Sequence, residues 1–236
     1  MRTVPMNNVV ILAGGRGSRM GEQTDLIPKP MVKIGGKPVI EHIMWNFTRF
    51  LGECQFFVLG GYKYELLVEY FQDSMDVLVL DTGEETQTGG RIKKLIDYMD
   101  FNFDEPFYVC YGDGLTNFDL SRLKIQDKEL VNMLVVHPSG RFGEVQFNKR
   151  GRVTEFTEKP VDTRWINGGY FLMQPEIVNY IAGDDDILET DVFSRIMMEK
   201  GLYCTPYEGY WHCMDTPKDW KELNTEYKTG EARWLK

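Results

Sequence analysis

Asn8-Val9-Val10-Ile11-Leu12-Ala13-Gly14-Gly15-Arg16-Gly17-Ser18-Arg19-Met20 is the stretch that decides the fold. An unbroken apolar run stops at two glycines, and a loop bearing two arginines follows. A run without polar alternation suits a parallel strand covered on both faces. Glycines directly behind it let the backbone approach a ligand and turn its N–H groups toward an anion. Loops at the carboxyl ends of parallel strands are where open α/β sheets bind ligands. Two familiar readings fail. A dinucleotide fingerprint starting at Gly15 needs a glycine where Met20 stands, and no Gly-Lys-Ser/Thr closes a phosphate-binding P-loop. A plain turn with solvated charges at Arg16 and Arg19 stays open as the alternative.

Outward from this strand the pattern repeats. Pro38 to Phe50 reads as a helix with an apolar stripe, Cys54 to Leu59 as a strand closed by Gly60-Gly61, and Tyr64 to Phe71 as a short helix. Asp76 to Leu80 is a third strand, Arg91 to Met99 a third helix, and Pro106 to Tyr111 a fourth strand ending in Gly112-Asp113-Gly114. Strand, helix, strand, helix with short links is the rhythm of an α/β fold with a mostly parallel sheet. Asn132 to His137 continues it. The second part is mixed. A hairpin is predicted around Asn148-Lys149-Arg150-Gly151, then a strand over Gly168–Met173. Helices are expected over Pro175–Ala182 and Thr190–Lys200, and a strand-turn-strand over Tyr203–Met214. A closing helix spans Thr216–Tyr227, capped by Asp215 or Thr216.

Composition narrows the function. The 236 residues are 42% hydrophobic and 27% charged, ordinary values for a globular chain. The net charge of −9 leaves no basic footprint for nucleic acid or a membrane surface. No apolar stretch has the length of a membrane span, and the first residues lack the layout of a signal peptide. The four cysteines show no CxxC spacing, and the three histidines stand alone. Zinc, a redox motif and a Ser–His–Asp arrangement are therefore unsupported. The histidines read as structural, the Trp and Tyr residues as core and pocket wall, and the protein as cytoplasmic.

Five further motifs can carry chemistry. Asp113, at a strand end, is placed to hold a metal, and so is Asp215 in Cys213-Met214-Asp215-Thr216. Mg²⁺ takes one or two carboxylates plus substrate phosphates. A turn or helix-cap aspartate is the alternative for each. Thr88-Gly89-Gly90-Arg91 opens a helix and offers groups for a base edge or a sugar; a bland helix start is equally open. Lys159 is either a point charge for phosphate or a solvated lysine. Asn167, before Gly168-Gly169, either binds a hydroxyl or turns the chain.

The order of these motifs resembles the sugar-1-phosphate nucleotidylyltransferases: Leu-Ala-Gly-Gly-x-Gly-Ser-Arg, Pro-Lys-Pro-Met, Gly-Asp-Gly, Glu-Lys-Pro, Asn-Gly-Gly. Asp81-Thr82-Gly83, Thr88-Gly89-Gly90-Arg91, Tyr111-Gly112-Asp113-Gly114, Gly140-Arg141-Phe142-Gly143, Trp165-Ile166-Asn167-Gly168-Gly169 and Met214-Asp215-Thr216 resemble its glucose-1-phosphate cytidylyltransferase branch. The resemblance implies one domain over residues 1–236 with a three-layer, Rossmann-like nucleotidyltransferase fold. Its sheet would be mixed but mostly parallel. A nucleotide-binding half to about residue 130 would precede an α+β acceptor-binding half. The implied reaction is CMP transfer from CTP to a sugar 1-phosphate, releasing pyrophosphate. Glucose 1-phosphate is the first acceptor. A non-sugar phosphate or phosphonate acceptor, dTTP or UTP as donor, and a non-catalytic regulator are the alternatives.

By the same resemblance, Leu12, Ala13, Gly14, Gly15, Gly17, Ser18 and Gly112 face the nucleotide, with Thr88, Gly89, Gly90 and Arg91 near its base and ribose. Arg19 and Lys29 bind the triphosphate. Asp113 and Asp215 hold Mg²⁺. Lys159 grips the acceptor phosphate, and Gly143, Glu158, Asn167 and Gly168 surround the acceptor. A homo-oligomer is implied. One departure bears on assembly and base choice: Phe71 and Asp81 are ten positions apart, whereas the branch carries a longer segment there.

Overall fold

The chain alternates strands and helices as the apolar runs predict, and the sheet they build has a core on each face. The computed structural model describes residues 6–99, 105–126, 128–138, 140, 143–158 and 163–236. β1 (Asn7–Leu12) leads through the short helix α1 (Gln23–Leu26) and the small ribbon β2 (Lys33–Ile34) and β3 (Lys37–Pro38) into α2 (Val39–Leu51). Then come β4 (Cys54–Gly60), α3 (Tyr64–Phe71), β5 (Val77–Asp81), α4 (Thr88–Met99) and β6 (Phe107–Tyr111). The second part holds β7 (Gly114–Thr116), β8 (Val131–Val136), the hairpin β9 (Glu144–Phe147) and β10 (Val153–Thr157), and β11 (Ile166–Met173). It ends with α5 (Phe193–Met198), β12 (Leu202–Tyr207), β13 (Trp211–Cys213) and α6 (Pro217–Lys228).

Seven strands form one sheet in the order β12-β8-β11-β6-β1-β4-β5. β1 pairs in parallel with both β4 and β6, and β12 with β8. β11 alone runs against its neighbours, β6 and β8. Its direction follows from its connection. The chain leaves β8, makes the β9–β10 hairpin and returns beside β8 without a crossover helix.

Alternation along β1 explains the three layers. Val9, Ile11 and Ala13 pack with Phe56 and Val58 and with Ile40, Ile43 and Phe47 of α2 on one face. Val10 and Leu12 pack with Phe57 and Leu59 and with Ile92 and Leu95 of α4 on the other. Both faces of each central strand are thus removed from water, which is why the sequence shows no polar alternation there. His42 of α2 is buried; one ring nitrogen faces the Ile34 carbonyl at 2.9 Å and the other accepts from Trp234 Nε1 at 3.3 Å. Burial holds its pKa below the ordinary value, so it is a neutral structural histidine.

The closing helix starts on Thr216, whose side chain accepts from the Asp219 amide while the Asp219 carboxylate accepts from the Thr216 amide at 2.7 Å. This reciprocal cap with Pro217 at the first turn fixes the direction of α6. Thr216→Ala is expected to cost about 1 kcal/mol of stability, read as a lower urea midpoint at unchanged slope.

Some expectations are corrected. The helix expected from Arg91 begins at Thr88. Pro175–Tyr180 is a run of tight 3₁₀ turns, and the expected Thr190–Lys200 helix is a single π-turn over Leu188–Val192 followed by α5. Tyr203–Met214 does contain two strands, but β12 pairs with β8 and β13 with β7, so they are not a hairpin. Trp45 and Trp165 are exposed and belong to neither core nor pocket wall.

Candidate active site

A cleft of about 330 Å³ opens at the carboxyl ends of β1 and β6. The chain order reverses there: β4 and β5 lie on one side of β1, and β6 on the other. Such a switch point splays the following loops apart and leaves a crevice. Leu12, Ala13, Gly14, Gly15 and Gly17 line one wall, Tyr111, Gly112 and Asp113 another, and Lys29, Pro30 and Arg19 the floor. Thr88 and Arg91 complete it from the start of α4. Gly17 takes φ +63°, a left-handed conformation that a side chain disfavours, and so bends the loop back over Lys29.

Two acidic side chains from distant loops meet in this cleft. The Lys29 ammonium donates to Asp113 Oδ2 at 2.6 Å and to Asp215 Oδ1 at 2.7 Å. Arg19 bonds the other oxygen of Asp215. The turn after β6 delivers Asp113, and the stretch between β13 and α6 delivers Asp215, because β13 pairs with β7 directly behind Asp113. The Met214 amide bonds the Asp113 carbonyl at 2.9 Å and ties these two turns together. Burial alone would lower the Lys29 pKa, but the charge of Asp113 and the bonds to the Asp113 and Asp215 carboxylates outweigh it, and the pKa is raised. Lys29 stays a full cation at any ordinary pH.

A ligand oxygen of Asp113, the Cys213 sulfur and an oxygen of Asp215 lie within 4.8 Å of one another. Two hard carboxylates that already share one cation, beside a glycine loop, are a donor set that fits Mg²⁺. Burial pushes the Cys213 thiol well up, with the Asp113 charge acting the same way, so it stays protonated and is no nucleophile.

Arg91 reaches under the glycine loop from α4. It is 4% exposed, and its guanidinium donates to the carbonyls of Gly60 and Gly83 at 2.8 Å, to Thr82 Oγ1 at 2.6 Å, and to the carbonyls of Gly14 and Glu84 at 3.3 Å. A Cβ on Gly14 would lie 2.1 Å from the guanidinium carbon, so only glycine fits above it. All five acceptors are neutral, so Arg91 places a positive charge beneath the loop that the Asp81 carboxylate only partly offsets. Gly89 and Gly90 do not line that cleft. Their amides donate to the Asp186 carbonyl at 2.9 and 3.3 Å, which docks the start of α4 on the loop before the π-turn Leu188–Val192.

A nucleotidyl transferase family model matches residues 8–230. The glucose-1-phosphate cytidylyltransferase of Salmonella typhimurium is 32% identical over 255 residues, covering 95% of this chain and 97% of that protein. The chain belongs to the nucleotidyl transferase family, as a sugar-1-phosphate nucleotidylyltransferase. Two solved structures share its fold. A UDP-glucose pyrophosphorylase superposes with a TM-score of 0.71 at 14% identity, covering 96% of this chain and 100% of that one. The inositol-1-phosphate CTP transferase of T. maritima gives 0.68 at 18%, covering 95% and 97%.

Within this nucleotidyltransferase the remaining expected residues lie elsewhere. Ser18 starts a 3₁₀ turn and does not line the cleft. Gly143 and Glu158 meet at the base of the β9–β10 hairpin, where a Cβ on Gly143 would lie 2.9 Å from the Glu158 carboxylate. Asn167 turns the chain, its Oδ1 accepting from the Gly169 amide at 2.8 Å, and its Nδ2 donates to Tyr111 Oη at 3.2 Å. The Gly168 carbonyl accepts from Trp211 Nε1 at 2.8 Å. Lys159, with Arg141 and Phe142, lies outside the described residues. The sequence marks Tyr111 only as the first residue of the Tyr-Gly-Asp-Gly motif, without a role of its own, and no motif marks Glu189. Among the described residues no helix is long and apolar enough to cross a membrane.

Proposed function

We propose that the enzyme transfers CMP from CTP to a sugar 1-phosphate, glucose 1-phosphate foremost, and releases pyrophosphate. The observation that carries this reading is the Lys29–Asp113–Asp215–Arg19 cluster at the mouth of the glycine loop. The cytidyl donor and the acceptor rest on the relationship to the Salmonella typhimurium enzyme.

The acceptor phosphate is the nucleophile. Its second pKa is near ~6, so it is largely dianionic at neutral pH and needs no general base. The obstacle is repulsion between two anions, and positioning with charge neutralisation removes it. Arg91 beneath Gly14 and the loop backbone receive the triphosphate. Lys29 and Arg19 are the cations nearest the phosphates. Arg19 is exposed at its tip and can fork onto the leaving pyrophosphate as charge moves there. Asp113 and Asp215 would hold Mg²⁺, which when bound supplies charge neutralisation and orientation of the phosphate oxygens. In this reading Lys159, Gly143, Glu158 and Asn167 serve the acceptor, and the enzyme works as a homo-oligomer.

The test is pyrophosphate release with Mg²⁺ across CTP, dTTP and UTP and a panel of acceptors led by glucose 1-phosphate. Turnover with CTP and glucose 1-phosphate is the expected result. Turnover with CTP and only a non-sugar phosphate or phosphonate moves the acceptor assignment. Activity with dTTP or UTP but not CTP overturns the base assignment.

A further inference from the structure

Behind the cleft runs a bonded chain of four side chains from four elements, two of which, Tyr111 and Thr88, line it. Asn167 at the start of β11 donates from Nδ2 to Tyr111 Oη at 3.2 Å. Tyr111, the last residue of β6, donates to Glu189 Oε1. Thr88, the first residue of α4, donates to Glu189 Oε2 at 3.2 Å and accepts from the Leu188 amide at 2.8 Å. Glu189 sits on the single π-turn Leu188–Val192, a backbone irregularity that presents one side chain out of helical register. Tyr111 and Thr88 line the cleft, while Glu189 stands behind them.

We propose that Glu189 is a positioning residue that couples the nucleotide and acceptor subsites. This rests on the reading given under Proposed function. Each arm has a distinct task. The Thr88 arm fixes a hydroxyl on the nucleotide side. The Tyr111 arm fixes the phenol and, through it, the Asn167 amide on the acceptor side. The Tyr111 ring also packs edge-on against Phe171, with centroids 5.6 Å apart, and this contact supports the ring whose hydroxyl Glu189 bonds. Among the described residues Glu189 is the group bonded to both arms. Its removal frees both hydroxyls at once. Removal of either hydroxyl frees one side.

Steady-state kinetics of Glu189→Ala, Glu189→Gln, Thr88→Val and Tyr111→Phe tests this, with the nucleotide and acceptor that the wild-type enzyme uses. Glu189→Ala is expected to raise both KM values by about tenfold, the effect of one lost hydrogen bond to a charged group, with a smaller change in kcat. Thr88→Val raises the nucleotide KM alone, and Tyr111→Phe the acceptor KM alone. Tyr111→Phe added to Glu189→Ala causes no further rise in the acceptor KM. Glu189→Gln keeps one acceptor oxygen and falls between. If Glu189→Ala does not fold, Glu189→Gln with the two single-arm variants carries the same split. Unchanged KM values in the Glu189 variants, or a loss of kcat alone, overturn the proposal. If the wild-type enzyme shows no turnover with any nucleotide, the proposed reaction fails. Calorimetric binding of CTP then decides the coupling arm: Glu189→Ala and Thr88→Val weaken it equally if the inference holds, and unchanged affinity rejects it.

Discussion

Lys29→Met is expected to lower kcat/KM for pyrophosphate release by about 10³-fold, the effect of removing a cation aimed at developing phosphate charge. It has a second, separable effect. Lys29 is the buried cation between Asp113 and Asp215, so its loss leaves two carboxylates facing each other with only the exposed Arg19 beside them. Breaking a buried pair in this way costs about 3 kcal/mol. The variant should therefore melt lower than the wild type without metal and recover much of the difference in millimolar Mg²⁺, because a ligand that binds only the folded state stabilises it. Thermal melts with and without Mg²⁺ read this directly. A variant that melts low and stays low with Mg²⁺ would mean that the two aspartates do not hold a divalent ion. Asp113→Asn separates the two effects. It leaves Lys29 bonded to Asp215, so activity falls while the fold stands.

The second large effect belongs to Arg91. Arg91→Leu takes from the Gly83 and Glu84 carbonyls the guanidinium that now satisfies them, and removes one bond each from the Gly14 and Gly60 carbonyls and the Thr82 hydroxyl, which keep other partners. Each buried group left without a partner costs on the order of 1–3 kcal/mol, and relaxation of the loops recovers part of that. A net loss of about 4 kcal/mol in urea unfolding is expected, with nucleotide binding lost as the loop above it slackens. Arg91→Lys keeps the charge but offers a point in place of a planar fork. It should retain more stability than Arg91→Leu and still bind nucleotide at least about tenfold more weakly than wild type. Equal stability of Arg91→Leu and the wild type would show that the five bonds do not shape the loop.

Much of this architecture is legible in the sequence, and the limits are physical. The apolar run through Leu12, the helix Tyr64–Phe71 and the hairpin around Asn148 are set by local patterning, and they stand where patterning puts them. Strand direction is not local. Nothing in the residues of β11 says that it opposes its neighbours, because periodicity is the same for both directions. β12 and β13 were legible as strands, but their partners lie in different sheets, a choice made by residues far away. The same holds at the site. Gly14 and Asp113 announce themselves by motif. That Arg91 turns back beneath Gly14, or that Glu189 gathers Thr88 and Tyr111, depends on how β6, α4 and the π-turn stack. Asp113 and Asp215 resembled a pair only through the order of family motifs, and β13 pairing with β7 supplies the physical reason.

The bond between Arg19 and Asp215 joins residues 196 positions apart, and that from Lys29 to Asp215 spans 186. During synthesis the glycine loop leaves the ribosome early, while its acidic counterpart emerges long after. Until then Lys29 and Arg19 have at most Asp113 to answer them, and the loop is an anion-binding patch without its second carboxylate. Closure over such separations is slow relative to local helix formation. Catalytic competence should appear as one of the last events of folding, later than the compact sheet on which it depends.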